Sequence, residues 1–196
     1  METQENQNST EATGTIKNFV WDLVKIIAIS LAIIIPFRLL VAEPFVVSGS
    51  SMLPNFHNRD YLIVDRISYR RAVPERGEVI VLKYPKDNRQ YFIKRIIGLP
   101  GETITLANGK VQIINAKNPN GFILTENYLP QETPTLGKPG PTTLGSDEYF
   151  VLGDNRTASS DSRVWGILPK DDIIGKAWLR VFPFKDFGTV KPTKYW

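Results

Sequence analysis

The 196-residue sequence contains no cysteine and a single histidine, His57. The first absence excludes a disulfide framework and thiolate metal sites. The second excludes the usual zinc constellations, which draw most of their ligands from His and Cys. Any hydrolysis is therefore expected to run without a metal or other cofactor. Charge of one sign is also scarce. The net charge is only +4, and residues 1–43 set Lys17, Lys25 and Arg38 against Glu2, Glu5, Glu11, Asp22 and Glu43, so the basic excess lies in the remainder. That modest excess suits anionic lipid headgroups. It lacks the interleaved aromatic and basic pattern of an RNA surface and any helix-turn-helix, so no nucleic-acid partner is expected. After residue 44 there is no amphipathic helix of ordinary length and no βα alternation, which excludes a nucleotide-binding α/β fold.

One long apolar run is present. Leu23 to Ala42, LVKIIAISLAIIIPFRLLVA, would make a helix about 30 Å long, the thickness of a bilayer core. Lys25 and Arg38 sit near opposite ends, where their stems can snorkel, and Trp21 is placed as an interface anchor. Pro36 predicts a kink. Residues 1–15 are polar and aperiodic and read as a disordered tail, which leaves 16–43 as a single transmembrane anchor. A cleaved signal segment ending at Leu40-Val41-Ala42 is a competing reading. The flanking cations, Lys17 and Lys25 against Arg38, Arg59 and Arg66, do not set an orientation.

From Glu43-Pro44 onward the pattern changes to short runs rich in Val, Ile, Tyr and Phe between turn residues. Strands are predicted at 45–47, 61–64, 78–84, 91–97, 103–106, 110–114, 149–152 and 173–182. Asn108-Gly109 marks a two-residue hairpin. The fold class is mainly β, an antiparallel sheet domain over 44–196 behind one membrane helix. The Pro- and Gly-rich stretch at about 116–146 reads as an extended loop or small subdomain.

Ser51, in the turn Gly49-Ser50-Ser51-Met52-Leu53-Pro54, follows the apolar run by about nine residues and is a candidate nucleophile. A serine hydroxyl needs a base. His57 sits in a polar turn that solvent alone explains. Asp154 and Asp161 are weak bases near pH 7 unless desolvated. Lys94 shares a strand face with Phe92 and Ile96, while Arg95 joins Ile93 and Ile97 on the other. At an ordinary pKa only about one lysine in 2,500 is neutral at pH 7, so the chemistry requires burial. The residues alone leave these candidates open.

A further polar run, Gly153-Asp154-Asn155-Arg156-Thr157-Ala158-Ser159-Ser160-Asp161-Ser162-Arg163-Val164-Trp165-Gly166, follows directly on an apolar strand. With it the chain resembles bacterial type I signal peptidases. The resemblance rests on Ser51-Met52-Leu53-Pro54, on Arg59 to Val64, on Ile93 to Glu102 and on the Gly153 run, in the family's order and extending to about residue 180.

The resemblance implies a serine/lysine dyad endopeptidase that removes signal peptides from preproteins at the outer face of a plasma or internal photosynthetic membrane. Its partners would be signal peptides, membrane lipids and the export translocon. Ser51 matches the nucleophile and Lys94 the general base. Ser159 matches a hydroxyl that orients the lysine amine. Asp161 and Arg163 match a supporting charged pair, Asp154 a structural support, and Gly153 a position that leaves room for backbone beside the lysine. Gly49 stands where some members carry an oxyanion-binding serine. The Ser51 N–H and the Ser50 hydroxyl are the expected donors here. Phe45, Val47, Met52, Phe92 and Ile93 match positions near shallow pockets for an Ala-x-Ala site. The rival readings are a self-cleaving repressor-type protease, for which no DNA-binding module is found, and an inactive membrane-tethered β domain that binds extended peptides.

Overall fold

The computed structural model describes residues 5–40, 42–131, 133–137, 140–193 and 195, with side chains given for 17–35 of the first segment and from residue 43 onward. The chain divides into two compact units, Met1–Val41 and Ala42–Trp196. The first is helix α1, Glu5–Leu40. Its stretch Lys17–Ile35 is long and apolar enough to cross a membrane. Residues 5–15, expected as a disordered tail, are helical instead. Once the apolar turns exist, adding residues to them escapes the cost of nucleation. Residues 1–4 and Val41 lie outside the described residues, as do the side chains of Pro36 and Arg38.

The second unit is built from β1 (Ala42–Val46), β2 (Tyr61–Asp65), β3 (Val79–Tyr84), β4 (Asp87–Gly98), β5 (Thr103–Ala107), β6 (Lys110–Asn115), β7 (Asn118–Ile123), β8 (Thr142–Thr143), β9 (Glu148–Leu152), β10 (Leu168–Pro169), β11 (Ile173–Phe182) and β12 (Gly188–Thr189). A four-residue helix α2 (Ser162–Trp165) follows β9. The larger sheet has the order β1-β2-β11-β3-β4-β9-β10, with β12 on β11, and the smaller one the order β7-β6-β5-β8. All pairs are antiparallel. The chain is mainly β.

Strand β4 links the packing layers. Ile97 joins Phe150 and Leu152 against Ile104, Val111 and Ile113 of the small sheet. Ile96 packs with Ile80, Leu82, Val151 and Leu168. With both faces covered, consecutive residues from Lys94 to Gly98 are all buried, the pattern of a central strand rather than a half-solvated one.

The described residues of the stretch 116–146 add edge strands to the smaller sheet. They supply β7 and β8 and bury Leu124, Thr135 and Leu144. Asn118-Pro119-Asn120-Gly121 gives no local strand signal. Its pairing with β6 is a tertiary contact that overrides propensity at an edge, where proline is tolerated.

Candidate active site

Three segments meet at one end of the large sheet: the turn after β1, strand β4, and the loop after β9. The turn is entered at Gly49, whose φ of +93° is a left-handed value that favours glycine. Asn58 Oδ1 accepts the Gly49 N–H at 3.0 Å. Met52, 1 % exposed, anchors the turn among Val47, Phe56 and Leu62. Its side chain packs in the core. The most apolar side chain of the turn follows burial, and its neighbour Ser51 is left at the cleft.

Lys94 is 3 % exposed. Its Nζ lies 2.9 Å from Ser51 Oγ and donates to the Ile93 carbonyl oxygen at 2.8 Å. The Phe92 ring centroid is 5.2 Å away. Burial pushes the Lys94 pKa down to about 8, against the opposing pull of Asp161 and Asp154. At that value about one lysine in ten is neutral at pH 7.

The loop after β9 crosses both groups. Asn155 donates its backbone N–H to Ser51 O at 3.0 Å and its Nδ2 to Ser50 O at 3.1 Å. A Cβ on Gly153 would lie 2.5 Å from Ser51 O and closer still to Ser159 Oγ, so only glycine lets the two backbones approach. The Gly153 N–H is held by Asp161 Oδ2 at 3.0 Å. Asp161 in turn binds Arg163 through Nε at 2.8 Å and Nη2 at 2.7 Å, and caps α2 through the Arg163 N–H. Arg163 Nη1 also donates to Leu136 O and Arg156 O.

Ser159 departs from expectation. Its hydroxyl is buried and has no hydrogen-bond partner. The Lys94 amine is already engaged by Ser51 and Ile93, and Ser159 sits against Gly153 instead. His57 is exposed, its backbone N–H held by Asp60. Asp154 and Asp161 each face an arginine, so neither is free to serve as the base.

Sequence reasoning missed the partner of Asp154. Arg95 donates to it through Nε at 2.8 Å and Nη2 at 2.6 Å, both side chains being buried. Asn55 Nδ2 adds a third bond to Asp154 at 2.9 Å. The signal was available: an arginine inside an apolar strand needs a buried carboxylate, and the Gly153 run offers one. Arg156 was missed for the same reason; its Nη1 reaches Glu126 at 2.8 Å and its Nη2 reaches Tyr128 OH at 2.9 Å.

A cleft of about 290 Å³ opens beside Ser51 and Lys94, walled by Phe45, Val47, Leu62, Val81, Phe92 and Ile93, with Ser50 at its mouth. Strand β1 borders it. β1 pairs only with β2, so its other edge is unpaired among the described residues.

Comparison with known proteins gives this arrangement a lineage. Residues 20–182 match the family model described as signal peptidase, peptidase S26. A signal peptidase I of Leptolyngbya laminosa is 39 % identical over 176 residues, 86 % of this chain and 83 % of that one. Signal peptidase I P of Bacillus subtilis subsp. natto is 36 % identical over 171 residues, covering 85 % of this chain and 91 % of that one. A crystal structure of a signal peptidase I from Enterococcus faecalis V583 aligns at 29 % identity with a TM-score of 0.44, over 54 % of this chain and 97 % of that one. Because the family match spans most of the sequence and takes in the Ser51 turn, strand β4 and the loop after β9, the chain belongs to the signal peptidase, peptidase S26, family.

Proposed function

We propose that this protein is a membrane-anchored serine endopeptidase that removes N-terminal signal peptides after small residues, with Ser51 as nucleophile and neutral Lys94 as general base. The observation that carries the reading is the buried Lys94 amine 2.9 Å from Ser51 Oγ, with its pKa pushed down to about 8. Desolvation supplies the neutral amine that the base role requires.

In the first half-reaction Ser51 Oγ attacks the carbonyl carbon at the cleavage site while Lys94 Nζ takes the hydroxyl proton. The tetrahedral intermediate collapses as the ammonium returns that proton to the departing amine, leaving an acyl ester on Ser51. Water then attacks the ester as Lys94 takes its proton, and collapse of this second intermediate returns that proton to Ser51 Oγ and releases the signal peptide as a carboxylic acid. The Ser51 N–H and the Ser50 hydroxyl are the proposed oxyanion donors. Loss of one such donor costs about 100-fold in rate or more.

The substrate would lie extended along the free edge of β1, where main-chain hydrogen bonds supply affinity and side-chain pockets supply specificity. The cleft of about 290 Å³ would receive the residues before the cleaved bond, small ones as in Ala-x-Ala. Asp154, Asp161, Arg163 and Gly153 would hold the loop that ties Ser51 in place. Helix α1 would anchor the enzyme in a plasma or internal photosynthetic membrane with the β unit on the outer face. Translocated signal peptides emerge there, so the export translocon is the proposed source of substrate.

The test is processing of a preprotein by the detergent-solubilised protein without added metal. Wild type should cleave after the small residue, while Ser51→Ala and Lys94→Met should lose essentially all turnover. Cleavage by Lys94→Met at the wild-type rate would overturn the dyad.

A further inference from the structure

The family match stops at residue 182, yet Thr193 beyond it reaches Arg95, the neighbour of Lys94 on β4. Gly188 and Thr189 pair with β11, and the Val190 N–H donates to Trp178 O at 2.8 Å. The chain then crosses the turn before β3, where the Thr193 N–H donates to Gly77 O at 3.2 Å. The approach is close: a Cβ on Gly77 would collide with the Thr193 carbonyl oxygen. Tyr195 stands edge-on to Tyr128, with ring centroids 6.0 Å apart and the two hydroxyls at 3.3 Å.

This segment completes the surroundings of Arg95. The guanidinium gives Nε and Nη2 to Asp154, and Nη1 to both Gly77 O and Thr193 Oγ1, each at 2.9 Å. Its flat face lies 4.2 Å from the Tyr128 ring centroid, the ring that Tyr195 backs. A buried cation held in this way is well placed only while every acceptor is present. Asp154, its partner, is one residue before Asn155, whose N–H fixes Ser51 O. Asp154 also binds Asn55, four residues beyond Ser51.

We infer that Gly188–Thr193, together with Tyr195, is a brace for the catalytic centre, with Thr193 a positioning residue that acts through Arg95 and Asp154 on the Ser51–Lys94 pair. The inference rests on the dyad reading. It predicts an effect on proton transfer as well as on stability. The charged groups around the Lys94 amine are Asp154 and Asp161, neutralised by Arg95 and Arg163 respectively. Without the Thr193 oxygen, Arg95 loses an acceptor and relaxes from Asp154. The carboxylate charge is then less compensated, which favours protonated Lys94 and moves the ascending limb of the pH–rate profile to higher pH.

The experiment compares full-length Thr193→Val and Thr193→Ser with wild type in detergent, measuring kcat and KM on a signal-peptide substrate from pH 6 to 10. Thr193→Val should lower kcat at pH 7 about 3-fold with KM unchanged, and displace the ascending limb upward by about half a pH unit. Thr193→Ser, which keeps the oxygen, should restore both. A Thr193→Val enzyme with the wild-type limb and kcat, even if its Tm is lower, would overturn the brace. If Thr193→Val does not fold, Tyr195→Phe replaces it: a limb shifted in the same direction supports the brace and an unmoved limb overturns it. Lys94→Met separates the two claims. If it is inactive while Thr193→Val matches wild type, only the brace fails; if it is fully active, the dyad itself fails.

Discussion

Lys94 is a residue whose local cost is a condition of its proposed task. Its folded pKa of about 8 lies below the 10.5 of a free lysine. Between those values the unfolded chain binds more protons than the folded one, so stability from this group rises with pH from about 8 to 10.5. Below pH 8 the penalty is present in full, about 3 kcal/mol at 1.36 kcal/mol per pKa unit. Lys94→Met should therefore be inactive and yet more stable. Its urea midpoint should exceed that of wild type at pH 7, and the gap should close as the pH approaches 10.5. Equal midpoints at both pH values would show that the amine is not held in a desolvating site. Ser51 carries no such signature of its own. It is set apart from Ser48 and Ser50 by the 2.9 Å approach of Lys94 Nζ.

Among the elements, the loop after β9 has little tolerance for added bulk. Gly153→Ala would press a methyl group against the Ser51 carbonyl oxygen and the Ser159 hydroxyl. Since one of these is backbone of the Ser51 turn, relief means displacing Ser51, the proposed nucleophile. A shift of about 1 Å should cost about 100-fold in kcat/KM, and the overpacking about 1–3 kcal/mol of stability. Steady-state kinetics beside a urea titration measure both, and wild-type turnover by Gly153→Ala would refute the close-approach argument. This loop also shows what a sequence reveals and what it hides. Strands β2 to β6, β9 and β11 were legible because each carries its own run of β-branched and aromatic residues, whereas β1, Ala42–Val46, was anticipated only at Phe45 and Val46. β7 was hidden, since Asn118-Pro119-Asn120-Gly121 takes strand form only through pairing with β6. In the site, Lys94 and the Gly153 run could be read from motif order and the apolar neighbours on β4. The bond from Arg95 to Asp154 spans 59 positions and depends on both faces of β4 being covered, which alternation along one strand does not show. The settings of Met52 and Ser159 were hidden for a related reason. Their types and positions suit the cleft, but packing turned Met52 into the core and left the Ser159 hydroxyl unpartnered.

At the scale of the whole molecule, a long apolar helix precedes a β unit that carries the candidate catalytic groups. The Lys17–Ile35 stretch bears apolar side chains that are exposed in the chain by itself, Ile26, Ile29 and Ile33 among them. Exposure of that kind is costly in water and favourable in lipid. The full-length protein should stay with the membrane pellet after alkaline carbonate extraction and enter solution only with detergent. Release by carbonate would remove α1 as an anchor. What joins anchor and β unit into one function is the proposed acyl transfer at Ser51, and its most direct test is the pH dependence of Ser51 acylation. The full-length protein in detergent would be treated with an active-site-directed acylating agent, and the adduct followed by intact mass and peptide mapping from pH 6 to 10. The expected result is a single adduct on Ser51 whose rate of formation rises through a midpoint of about 8, the value at which buried Lys94 loses its proton, and which disappears in Lys94→Met. An adduct on another residue, or a Ser51 adduct whose rate is unchanged in Lys94→Met, would contradict the account.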